Sequence, residues 1–489
     1  MPTSFKKVIH KVRTEKWWLE ECPTSFFLFD YIMKTFVSAG RLLGRPTLKQ
    51  SVFINKNNLG MELNPYDERK NNFIDIYQHE LKTQGYFKKL FLPWFKIRQN
   101  LAKLNDLAIN KINGYSSVEL LRFAKEFLQL GFDSVVYGAL LECVDPFTES
   151  LPRDLKLRYN LTNEQARDYS SILSIPLERS FLTQEKLDFY SLCLHKLTIV
   201  QYIAKYYWIN SNYRQSGELE LADLKKRIKN ELKIFGGSAG IKKEIKKTLR
   251  NEKKLFSDKK AISQKLKLIK ADKKLFKLLE IFGHYIDLRK ESMLRHTYAR
   301  DKFLLEISRR TNYKMDDLSD LDDQEIIKVI QKKPVNWRQI RLRHKLCVAY
   351  YTPFERKIFY GSEAKKIYQT FILSLKSDQL KGMVAQLSSR LIRGKVSLVL
   401  DIFKDKFKPG NILITTMTRP EFMPLMRRAK AVITDEGGLT CHAAIISREL
   451  KIPCIIGVKN ATKVLKNNDF VEMDLKTGVI KKIINENKH

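Results

Sequence analysis

Cysteine is scarce. The chain has six in 489 residues, at positions 22, 143, 193, 347, 441 and 454, with no C-x-x-C pair. That excludes a disulfide framework and spells out no zinc or thioredoxin-type cluster, so reduced thiols are expected. The 20 glycines and 14 prolines are too few for a collagenous or low-complexity chain. Long hydrophobic runs are also missing: nothing reads as the roughly 20 uncharged apolar residues of a membrane-crossing helix. The basic start, Met1 to Arg13, has no apolar core followed by a small-residue cleavage site. The expectation is a cytoplasmic protein without a membrane role. Its 44% hydrophobic content is enough to bury real cores, and its length suggests about three domains.

Acidic residues are the next deficit. Ninety Lys and Arg stand against 54 Asp and Glu, a net charge of +36. Residues 221–280 hold 20 Lys and Arg against 7 Asp and Glu, a net +13, with Leu232, Ile241, Ile245, Leu249, Leu255 and Ile262 at helical spacing. A basic face with an apolar seam describes a solvated helical hairpin. A nucleic-acid surface is the alternative and is not favoured, because no recognised nucleic-acid motif accompanies the charge.

From Met1 to about Leu375 the pattern is mostly helical. Apolar residues recur at three and four, as at Leu120, Leu121, Phe123, Phe127, Leu128 and Leu130. Breaks are expected at Leu151-Pro152-Arg153-Asp154, at Ser216-Gly217 and at the Gly/Ser turn 235–240. An acidic turn near Asp316 does not have calcium-loop spacing, and Asp322 is placed to cap the helix after it. From Gly382 onward short β-branched runs alternate with turns and two short helices, 420–430 and 441–450. That reads as a compact α/β domain. The expected divisions are a helical domain over 1–215, a basic hairpin and helical connector over 216–376, and an α/β domain over 380–484.

Chemistry concentrates in 434–450, Thr-Asp-Glu-Gly-Gly-Leu-Thr-Cys-His-Ala-Ala-Ile-Ile-Ser-Arg-Glu-Leu. A strand ends at Thr434, and Gly437 and Gly438 permit a tight turn that brings backbone amides close to a ligand. Thr440 is placed as an N-cap, with Cys441 and His442 in the first turn of a helix. A helix N-terminus carries unpaired N–H groups and partial positive charge. It disfavours imidazolium and stabilises an anion attached to the ring. His442 is therefore the candidate nucleophile and phosphoryl acceptor. Arg448 reaches such a group only by folding back along the helix.

Residues 380–484 resemble the phosphohistidine swivelling domain of phosphoenolpyruvate-utilising enzymes, the group that includes phosphoenolpyruvate synthase, pyruvate phosphate dikinase and rifampicin phosphotransferase. The resemblance runs through Gly382-Met383-Val384-Ala385, Gly394-Lys395-Val396, Pro409-Gly410-Asn411-Ile412, Thr418-Arg419-Pro420, the Thr-Cys-His core and Ile452-Pro453-Cys454-Ile455-Ile456-Gly457. It implies a mostly α N-terminal region followed by a small α/β swivelling domain. It also implies a phosphotransferase in which His442 is phosphorylated on its ring. Gly437, Gly438, Thr440, Cys441 and Arg448 would support the phosphate, and Thr440 matches a position that a regulatory kinase modifies in some relatives. A weaker resemblance at Ile286-Asp287-Leu288-Arg289 and Phe359-Tyr360-Gly361 points to the helical connector of the same enzymes.

No ATP-grasp pattern, phosphoenolpyruvate-binding barrel or Walker-type loop is evident, and few residues follow 484. The expectation is one part of a split system. No cofactor or metal is held by this chain, Mg-ATP or phosphoenolpyruvate is the donor, and an ATP-grasp protein chain is the partner. The acceptor is an unidentified small molecule. His284, Arg289, His296 and Arg300 are weak acceptor-site candidates, with a satisfied surface face the stronger reading. The alternatives are a non-catalytic scaffold that retains the swivelling fold, or a basic nucleic-acid-associated protein.

Overall fold

The computed structural model describes residues 5–374, 380–386, 391–400, 402, 405–418, 422–437 and 441–483, with the backbone alone at 22, 23, 442, 445 and 449. The chain forms two compact units: residues 23–364, and residues 1–22 together with 365–489. Residues 23–215 and 216–364 thus share one unit.

The larger unit is mainly helical. Its organising element is the 42-residue helix Lys270–Thr311, about 63 Å long at 1.5 Å per residue. Phe276, Phe282 and Tyr285 of this helix meet Phe73, Phe87, Phe91 and Trp94 in an apolar core. Farther along, Phe303 and Ile307 join Phe123, Phe127 and Leu304 in a second cluster. Within Ser117–Tyr159 one 18-residue window is apolar enough to cross a membrane, but 72% of that window is buried inside the unit. The window belongs to the core-packed helices Ser117–Leu141 and Val144–Tyr159.

Pro152 does not break the chain as expected. The helix Val144–Tyr159 runs through it, because Leu151 and Leu155 on either side are buried in the first core. Tertiary burial outweighs a missing backbone donor. Two other local signals are realised, whereas the helix expected over 420–430 is only Met423–Met426 among the described residues. Gly236 ends the helix Leu221–Phe235 at φ +70°, before the helix Ser238–Lys265. Asp322 caps the helix Asp323–Ile330 in a reciprocal capping box with Glu325.

The helical region also holds an unexpected antiparallel sheet, ordered Leu59–Pro65, Ser51–Lys56, Leu346–Tyr351, Arg356–Tyr360. Its first hairpin turns on Asn57 and Asn58, at φ 52° and 62°. Asparagine tolerates that left-handed pair better than most residues, as a two-residue hairpin of primed type requires.

The second unit contains an eight-stranded sheet ordered Leu380–Lys381, Val479–Lys482, Phe470–Asp474, Leu391–Leu398, Ile412–Thr415, Ala431–Thr434, Cys454–Ile456, Met383–Gln386. Its centre is parallel, from Leu391–Leu398 through Ile412–Thr415 and Ala431–Thr434 to Cys454–Ile456. Alternate residues go to opposite faces. Ile412, Ile414, Ile433 and Ile455 pack with Ala461 and Leu465, whereas Leu413, Val432 and Ile456 pack with Ala443 and Ala444. The two alanines let the helix His442–Leu450 lie close against the strands.

Candidate functional site

The helix His442–Leu450 begins beyond the C-terminal end of the strand Ala431–Thr434, where parallel α/β sheets place their ligand sites. His442 is its first residue after the cap, so the backbone amides at 441–444 have no partner within the helix. The N-cap is Cys441, at φ −70° and ψ 162°, with no side-chain capping bond. This corrects the expectation for Thr440: the helix starts one residue later, and Thr440 precedes the cap. Gly438 and Thr440 themselves lie outside the described residues, as does the His442 side chain.

The segment before the helix is pinned from several directions. Asp435 and Glu436 donate their backbone N–H groups to Thr415 O (3.1 Å) and Thr416 O (2.9 Å). Val458 and Lys459 donate to the carbonyls of Thr434 (3.0 Å) and Asp435 (2.9 Å). The Asp435 carboxylate accepts from Thr462 N at 3.1 Å and from the Thr462 hydroxyl. Burial pushes Asp435 up to about 6 and Glu436 well above the usual carboxylate range. Gly437 sits at φ +116°, and a Cβ there would lie 2.6 Å from Cys441 Sγ. Glycine is required by both backbone angle and space.

Residues 17–22 supply groups that the motif alone does not reveal. Glu21 donates its backbone N–H to the Glu436 carboxylate and pairs through its own carboxylate with Lys463. Lys459 Nζ lies 5.7 Å from the Trp18 ring centroid. More than 400 residues of chain separate these partners, so no local pattern could have signalled them.

Arg448 donates from Nε to Ala385 O at 3.2 Å, which ties it to the strand Met383–Gln386. It stands six residues along the helix from His442, about 9 Å of rise. Neither Cys441 nor Cys454 forms a disulfide, and burial raises the Cys454 thiol to about 12.

The acceptor candidates in the helical unit do not form a surface face. His296 is buried, with Nδ1 3.0 Å from Asn105 Oδ1, and burial followed by the Arg300 charge lowers its pKa to about 3. Arg300 is 1% exposed and bonds Asp301 and Arg214 O. Arg289 pairs with Glu142. His284 is partly buried beside Tyr285 and shifted downward, mainly by burial. Only the satisfied half of the surface reading stands for 289, 296 and 300, since helices pack around Lys270–Thr311 on several sides.

The parallel core, the glycine-bearing turn and the helix that begins at His442 lie together in one small α/β domain. Residues 407–478 match the family described as PEP-utilising enzyme, mobile domain. A probable phosphoenolpyruvate synthase of Methanothermobacter thermautotrophicus is 50% identical over 102 residues, 21% of this chain and 15% of that protein. Phosphoenolpyruvate synthase of Pyrococcus furiosus is 50% identical over 104 residues, 21% of this chain and 12% of its own length. The enzyme of Neisseria meningitidis serogroup B is 47% identical over 87 residues, 18% and 11% respectively. This chain therefore spans about an eighth of the length of the curated relatives it matches. Among solved structures, holo aconitase X of Thermococcus kodakaraensis matches at 18% identity over 22% of this chain and all of that one, with a TM-score of 0.19. That likeness is too slight to bear on function.

Proposed function

We propose that this protein is a phosphotransferase component in which His442 carries a phosphoryl group between a donor and an acceptor. The single observation that supports the reading most is the position of His442 at the start of a helix above the parallel strands, inside a stretch half identical to phosphoenolpyruvate synthases. Four amides there have no intrahelical partner, and together with the helix dipole they favour the added negative charge. In the forward step a ring nitrogen of neutral His442 attacks phosphorus. The N–P bond forms as the bond from phosphorus to the donor's leaving oxygen breaks, and that oxygen keeps the electron pair. The reverse exchange delivers phosphoryl to the acceptor.

Gly437 and Gly438 serve the turn, and Cys441 serves as the cap. Thr440, next to that cap, is the proposed regulatory position. The donor is proposed to be Mg-ATP or phosphoenolpyruvate supplied through a partner, an ATP-grasp chain in the case of ATP, in the cytoplasm. The acceptor is a small molecule bound elsewhere.

The test is phosphoryl labelling. The wild-type protein and His442→Ala are incubated with labelled phosphoenolpyruvate, or with ATP labelled at its β or γ phosphate, with and without an ATP-grasp partner. Acid-labile, base-stable label on the wild type alone is expected. Equal labelling of the two proteins, or no label with any donor and partner, refutes the carrier reading and favours a scaffold that keeps only the fold.

A further inference from the structure

In the helical unit, a cavity of about 290 Å³ opens between the helices Asn163–Ser174, Ser238–Lys265 and Lys270–Thr311. That is room for roughly ten waters at about 30 Å³ each. Its floor is apolar: Leu173, Leu268 and Phe276 are at most 5% exposed. Phe256, 61% exposed, and Leu177 form an apolar rim. Large apolar side chains left in solvent around a concavity are what a ligand site looks like.

Four of the six polar residues that line the cavity are lysines, beside Ser263 and Glu280. Lys259 is 93% buried, being 7% exposed. Its ammonium donates to Leu173 O at 2.7 Å and to Glu280 Oε1 at 2.6 Å. An ammonium has three N–H donors, and the third has no partner among the described residues. Glu280 is already shared, since Lys277 Nζ lies 2.8 Å from its other oxygen. Lys260 and Lys273 stand exposed at the mouth, with no ion pair among the described residues. Glu178, the other acid within electrostatic reach, is exposed beside Leu177. Four lysines against two carboxylates leave the mouth positive, above an apolar floor.

We propose that this cavity binds a small amphipathic anion, a medium-chain carboxylate whose hydrocarbon body lies on Leu173, Leu268 and Phe276 and whose oxygens meet Lys259, Lys260 and Lys273. The floor offers nothing to a bare inorganic anion, and the three lysines offer nothing to a neutral hydrocarbon, so the two halves of the ligand are required together. The assignment is independent of His442.

Isothermal titration of the full chain tests it with three probes: decanoate, decanol and acetate. Saturable one-to-one binding of decanoate is expected, at least tenfold tighter than decanol and with no measurable heat of binding for acetate. The double variant Lys260→Gln, Lys273→Gln is expected to weaken decanoate at least fivefold. Ser263→Trp, which fills the cavity from the half-exposed side of its wall, is expected to remove binding with circular dichroism unchanged. If that tryptophan disturbs folding, the double lysine variant decides, because both its sites are exposed. The proposal is overturned by non-saturable decanoate binding, by decanol or acetate binding as tightly as decanoate, or by a double lysine variant with wild-type affinity.

Discussion

Acid should weaken the helical unit through one buried imidazole. His296 sits against the Phe127 ring, with centroids 4.6 Å apart, and its Nδ1 faces Asn105. The neighbouring Arg300 guanidinium opposes a second positive charge, and burial opposes it more, so the pKa falls from 6.5 to about 3. The folded state binds this proton more weakly than the unfolded state does. Its contribution is complete above about pH 6.5 and is lost progressively as pH falls toward 3. At ~1.36 kcal/mol per pKa unit, lowering the pH from 7.5 to 5 removes about 2 kcal/mol, and about 3 kcal/mol is gone by pH 4. His296→Gln keeps a polar group beside Asn105 but does not titrate. Urea unfolding of both proteins at several pH values, followed by the fluorescence of Trp94 and Trp208, isolates the term. The wild type should lose about 2 kcal/mol more than His296→Gln over that interval, because other groups titrate equally in both. Histidine-selective NMR should also show one imidazole of the eight that stays neutral down to pH 4. Parallel pH profiles, or titration of every histidine above pH 5.5, would refute the reasoning.

Two further outcomes follow from the geometry. Gly437→Ala forces a side chain into a positive φ and against Cys441 Sγ. A local cost of about 1–3 kcal/mol is expected, read as a large loss of label on His442 with the melting of the helical unit unchanged. Arg343 lies over the Phe26 ring and grips Glu325 through two nitrogens, at 2.5 and 2.9 Å, with its side chain 5% exposed. Arg343→Met strands that carboxylate and should cost about 3–5 kcal/mol in urea unfolding.

The α/β region was legible because its strands are short β-branched runs between turns. Ile412–Thr415 and Ala431–Thr434 fall where the alternation placed them. Helix boundaries set by local chemistry were readable too, as at Asp322 and Gly236. What the chain does at a distance was not. The strand Ser51–Lys56 pairs with Leu346–Tyr351, about 300 residues later, and Asn57-Asn58 was its only local trace. Pro152 misled because its neighbours' burial decides the conformation there. Around the candidate site, the glycine turn and histidine helix announced themselves in consecutive residues, whereas Glu21 and Lys463 did not.

The grouping of residues 1–22 with 365–489 has a consequence for biogenesis. Synthesis proceeds from the N-terminus at about 5–20 residues per second, so the first segment waits roughly 20–70 s for residue 365 to be made. Through that interval Trp18 and Glu21 lack Lys459, Lys463 and Glu436, their partners in the finished fold. This unit is thus completed from the earliest and the latest parts of the chain. Its first and last segments therefore come together only after the whole of residues 23–364 has been made.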